Sequence, residues 1–81
     1  MLIEVFGAGC PKCEQVERVV KEALSDLNII ADVEKVKDIE KIVEAGIMMV
    51  PGLRINGELK SSGKVPKIEE MKKWIEETKE S

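Results

Sequence analysis

Cys10 and Cys13 stand two residues apart in the stretch GAGCPKC, residues 7–13, and they are the only cysteines among 81 residues. A CxxC pair supports three chemistries: reversible disulfide exchange, capture of a soft metal ion, or a fixed staple. Cysteines at i and i+3 of a helical turn have Cβ atoms about 5–6 Å apart, a separation that one disulfide bridges after small adjustment. Such a pair opens and closes without refolding anything around it. Cys10 falls at the start of an expected helix, where free N–H groups and the positive end of the dipole stabilise a thiolate, and Lys12 adds a nearby cation. Cys13 shares a stripe with Val16, Val20, Ala23 and Leu27, which turns it inward. The spacing therefore predicts an asymmetric pair, with Cys10 the exposed, more acidic nucleophile and Cys13 the resolving thiol that closes the intramolecular disulfide. Pro11 has no N–H to lose and suits the first helical turn.

The flanking sequence shows which elements hold this pair. Residues 2–6 read as a strand, and Val16, Val19, Val20, Ala23, Leu24 and Leu27 recur at helical spacing, which predicts a helix from Pro11 to Leu27. A second strand is expected over the apolar stretch from Ile29 to Val36, ending near Lys37. Asp38 then offers an N-cap, Ile39, Ile42 and Val43 a helical face, and Gly46 a stop. Beyond Pro51, Leu53 and Ile55 alternate with polar neighbours, and Asn56-Gly57 is a strong hairpin signal leading to a strand near residues 58–61. Gly63 breaks the chain, Pro66 suits a first helical turn, and Ile68, Met71, Trp74 and Ile75 give the last helix its apolar stripe. The expected architecture is a single α/β domain over residues 1–81: a four-stranded mixed sheet with three helices in the order β-α-β-α-β-β-α.

Composition removes several classes of function. Net charge is -3, and 13 basic residues are scattered among 16 acidic ones with only Phe6 and Trp74 as aromatics, so no nucleic-acid footprint is present. The longest apolar run, Ile47 to Val50, is far short of the roughly 20 residues that span a bilayer. Met1 leads into Leu2, Ile3 and Glu4 with no basic flank and no cleavage site, so no signal peptide is expected and the chain is read as cytoplasmic. In that compartment thiols are kept reduced, which favours a transient disulfide or a metal over a permanent staple.

With GAGCPKC behind the first strand and GIMMVPGLRING at residues 46–57, where a proline opens a strand that ends in a hairpin, the chain resembles the thioredoxin-like superfamily. It is most similar to the small glutaredoxin-like, or redox-active disulfide, proteins of archaea and bacteria. The resemblance covers nearly the whole chain. It implies a dithiol oxidoreductase with no cofactor, acting as a monomer on disulfide-containing proteins and recharged by a separate reductase. It also implies a cis Val50–Pro51 peptide facing Cys10 and Cys13, with the backbone of Val50 offered to the substrate chain. Pro51 would keep a backbone donor and a side-chain ligand away from the thiols. Ordinary thioredoxins carry a buried acid six residues before the first cysteine, and Glu4 occupies that position, which makes it the candidate proton acceptor for Cys13. The other reading of Glu4 is a residue on the less covered face of the strand, meeting water or a lysine. In this sequence Gly9 precedes Cys10 where thioredoxins place Trp, Pro11-Lys12 stand between the cysteines, and SSGKVP replaces the paired-glycine signature that glutaredoxins use for glutathione.

The rival reading of the same cysteines is a non-enzymatic carrier of a soft ion such as Cu(I), since copper chaperones also place CxxC where a first strand meets a first helix. Their element order differs, and the proline of GIMMVPGLRING has no purpose in it. A closed zinc site needs four ligands, and with no His and no third Cys it forms only by sharing across a dimer. No metal is therefore assigned. Met48 and Met49 are expected to pack in the core or at its rim, and Trp74 in the core.

Overall fold

The computed structural model of the chain describes residues 1–7 and 11–80, apart from the side chain of Glu80. The elements are β1 (Leu2–Phe6), α1 (Pro11–Leu27), β2 (Asp32–Val36), α2 (Ile39–Glu44), β3 (Gly52–Ile55), β4 (Glu58–Ser62) and α3 (Ile68–Glu80). Their order is the one expected from the sequence. The strands form one sheet in the order β2-β1-β3-β4, with β1 parallel to β2 and the other neighbours antiparallel. α1 is the crossover that a parallel pair requires, and the Asn56-Gly57 turn closes β3 onto β4.

Two apolar layers meet at the sheet, and strand alternation divides them. Ile3 and Val5 of β1, beside Ile55 and Leu53 of β3, pack against Val16, Val20, Ala23 and Leu24 of α1 and Met71 and Ile75 of α3. Phe6 points to the other face and packs with Ile42 of α2 and with Ile47. Burying a side chain of this size is worth about 1.5–3 kcal/mol, so the face under α1 and α3 carries most of the stabilisation and fixes α1 against β1.

The helix ends are set by local chemistry. The Asp38 side chain accepts a hydrogen bond from the Glu40 N–H at 2.9 Å, which starts α2. At its other end the N–H of Gly46 bonds the Val43 carbonyl and that of Ile47 the Ile42 carbonyl, the double closure of a Schellman motif. α1 ends the same way, with Asn28 at φ 55 and the Ile29 N–H bonded to the Leu24 carbonyl.

Four expectations need correction. α2 has only six residues, enough to bury Ile42 but not to turn Ile39 and Val43 onto the sheet, and both are exposed. Met48 and Met49 also face outward, Met48 at 94% exposure. Trp74 packs at the rim of the larger core, partly buried, because Met71 and Ile75 occupy the inner face of α3. Finally, β2 begins only at Asp32 and α3 only at Ile68, so Pro66 precedes the helix and the Lys67 carbonyl accepts its first bond, from the Met71 N–H. Among the described residues no helix is long and apolar enough to cross a membrane.

Candidate functional site

β1 ends at Phe6, and the chain must pass from the middle of the sheet into α1 within a few residues. Gly7 sits at this junction, its N–H bonded to the Val36 carbonyl of β2 at 2.9 Å. A Cβ on Gly7 would collide with the Cys13 sulfur and would lie 3.8 Å from the Cβ of Val50. The missing side chain is what lets Cys13 approach the end of β1. Cys13 is 6% exposed, in the first turn of α1 and on the stripe that continues through Val16 and Val20 into the core. It is disulfide-bonded in this structure. Cys10, the expected nucleophile, lies outside the described residues; Pro11 and Lys12 open α1 and are exposed.

Val50 and Pro51 reach the same place from the far side of β1. The Val50–Pro51 peptide is cis. Pro51 is buried, and its carbonyl accepts a bond from the Gly63 N–H at 2.8 Å, while the Met49 carbonyl accepts from the Ser62 hydroxyl at 3.2 Å. The end of β4 thus anchors the segment before β3 on both sides of Val50. Cys13, Gly7 and Val50 meet where β1 and α1 join, and Met48, Met49 and Val50 leave an exposed apolar border beside them.

Glu4 does not join this group. Strand alternation places it with Phe6 on the α2 face, whereas Cys13 meets the face of Val5 and Gly7. It is 9% exposed and is held by its cross-strand neighbour Arg54, whose Nε donates to Oε1 at 2.7 Å and whose second guanidinium nitrogen donates to Oε2 at 2.9 Å. This fork satisfies both carboxylate oxygens. The bond to Glu4 raises the Arg54 guanidinium above its usual value against the opposing effect of burial, and the guanidinium also lies 5.0 Å from the centre of the Phe6 ring. Of the two readings of Glu4, proton acceptor beneath Cys13 and residue on the less covered face, the second is nearer, with an arginine in place of water or lysine.

Nothing in the sequence pattern marks the groups that do flank Cys13. A cavity of about 60 Å³ is lined by Val5, Gly7, Cys13, Glu14, Lys35 and Lys37. The parallel register sets Lys35 beside Val5 and so on the Cys13 face. Only the register, not the pattern of β2 alone, reveals that neighbour. Among the described residues no group of three or more His, Cys, Asp or Glu is placed to hold a metal ion.

With this geometry in view, residues 1–76 match the thioredoxin domain family. The chain is 44% identical over 75 residues to a thioredoxin of Methanothermobacter thermautotrophicus, covering 93% of this chain and 97% of that protein. It is 36% identical over 75 residues to a thioredoxin of Methanocaldococcus jannaschii, covering 93% of this chain and 86% of the relative.

Proposed function

The chain belongs to the thioredoxin domain family, and on that premise we propose that it is a cytoplasmic thiol–disulfide oxidoreductase that reduces disulfides in other proteins. The observation that carries this reading is the buried Cys13 in the first turn of α1, seated against Gly7 and beside Val50. A thiol placed there is shielded from an incoming substrate and stands three residues after Cys10 in the sequence, as a resolving thiol requires.

In the cycle, the Cys10 thiolate attacks one sulfur of a substrate disulfide; a Cys10–substrate S–S bond forms as the substrate's own S–S bond breaks, and the first substrate thiolate leaves. Cys13, once deprotonated, attacks the Cys10 sulfur. The Cys10–Cys13 bond forms, the second substrate thiolate departs and takes up a proton, and two electrons have passed from the dithiol to the substrate. A separate reductase restores the dithiol. Pro11 opens the helix without a donor to satisfy, and Lys12 favours the Cys10 thiolate. Val50 offers its backbone to the substrate chain and Pro51 keeps competing donors and ligands from the sulfurs. The exposed Met48, Met49 and Val50 supply apolar contact area.

The test is turnover of insulin by the reduced protein with a chemical reductant. The proposal expects faster precipitation of the insulin B chain than reductant alone gives, abolished in Cys10→Ser. No acceleration, together with one Cu(I) held tightly per chain, would instead make this a soft-metal carrier.

A further inference from the structure

Resolution of the mixed disulfide requires the buried Cys13 to lose a proton, and burial in apolar surroundings opposes formation of the thiolate. β1 supplies no charge for that step: Val5 and Gly7 face Cys13, and Glu4 is on the opposite face, bound to Arg54. The charged groups around Cys13 come from α1 and from β2 and its end. Glu14, Lys35 and Lys37 line the cavity beside its sulfur, and Glu17 stands one turn further along α1.

Of these, Lys35 is the anchored cation. Its Nζ is 3.0 Å from Oε2 of Glu17, whose other oxygen is 3.2 Å from the Nζ of Lys21. The Glu17 side chain is only 17% exposed. Its Oε2, the oxygen that meets Lys35, is buried, so the carboxylate side of the pair is kept out of bulk solvent. By contrast, no ion pair is seen for Lys37 among the described residues. A cation held at the edge of a cavity acts on a neighbouring thiolate more strongly than one free in solvent, because it is less screened.

We propose that the Glu17–Lys35 pair is the charge device that governs deprotonation of Cys13, with Lys35 stabilising the thiolate and Glu17 acting as the positioning residue that holds it there. The role in turnover rests on the oxidoreductase reading above, but the electrostatic claim concerns one thiol and is measured without turnover. The cavity has room for a water molecule to carry the proton away from the sulfur.

The experiment titrates the ultraviolet absorbance of the Cys13 thiolate in the full chain carrying Cys10→Ser, so that a single thiol is followed. Lys35→Met should raise the midpoint by about one pH unit, a roughly tenfold loss of thiolate at a fixed pH below it. Lys35→Arg should restore the parent midpoint, and Glu17→Gln, which releases Lys35 from its place at the cavity edge, should raise it, though less than Lys35→Met because a nearby anion is removed as well. Lys37→Met should shift it much less than Lys35→Met. Lys35 lies on an edge strand with its side chain half exposed, and the circular dichroism of each variant verifies the fold. A midpoint unmoved by Lys35→Met, moved as far by Lys37→Met, or lowered by Glu17→Gln would overturn the proposal. Insulin reduction by the dithiol protein reports separately on the oxidoreductase reading, so the two can fail independently.

Discussion

At the scale of single residues, the most consequential placement is that of Glu4. An acid that interrupts an apolar strand has two possible faces, and alternation cannot say which one a helix will cover. The answer depends on β3: Arg54 stands opposite Glu4 in the antiparallel register and clamps it with two hydrogen bonds, on the side away from Cys13. Removing the arginine leaves a nearly buried carboxylate without its partner and strips the guanidinium from the Phe6 ring. Arg54→Met is therefore expected to cost about 2 kcal/mol, a fall in melting temperature of roughly 8–16 °C, while leaving the insulin activity of the surviving folded protein near the parent level. The folded-state pKa of Arg54 is raised, so its contribution is fully present below the unfolded guanidinium value and is lost only as pH rises through the folded one. The penalty should hold across neutral and mildly alkaline buffers. Thermal unfolding at two such pH values checks it; an unchanged melting temperature would show that the pair contributes nothing net. Cys13 was readable as an inward residue because its stripe is helical and continuous. Lys35 was not, since its proximity to Cys13 arises from the pairing of β2 with β1.

At the scale of elements, the segments whose boundaries are set by neighbouring residues are legible in the sequence. The first strand, the long first helix, the Asp38 cap and the Asn56-Gly57 turn all carry their instructions in neighbouring residues. Where the reading failed, the deciding contact was distant or missing: Ile39 and Val43 are apolar at helical spacing, yet a helix of six residues has only one position that reaches the sheet. The hairpin offers a direct test. Asn56 has φ 48 and Gly57 φ 82, both positive as a type I′ turn requires, and the Asn56 side chain accepts a bond from the Leu2 N–H at 2.7 Å. Nothing lies within 4 Å of where a Cβ on Gly57 would project, so the cost of Gly57→Ala is one of backbone conformation alone, about 1–2 kcal/mol. Equilibrium urea unfolding should show a lower midpoint with an unchanged slope. A midpoint equal to the parent's would mean that the turn relaxes without penalty.

At the scale of the whole molecule, the sheet brings three distant pieces of chain to one end. α1 begins where the parallel strands β1 and β2 finish, and β4 ties the segment before β3 to the same end. Ligand sites in open α/β sheets gather outside the carboxyl ends of their strands, and here that crevice holds Cys13, Gly7 and Val50. The central claim is that this end of the sheet performs two-step thiol exchange with distinct roles for the two cysteines. Its most direct test is to mix reduced Cys13→Ser protein with a disulfide-linked peptide dimer and follow the mass of the intact protein. The account predicts that one peptide becomes attached at Cys10 and stays until reductant is added. The parent protein should release both peptides and gain no lasting mass beyond loss of two hydrogens, and Cys10→Ser should remain unmodified. No adduct on Cys13→Ser, or an equal adduct on Cys10→Ser, would contradict the account.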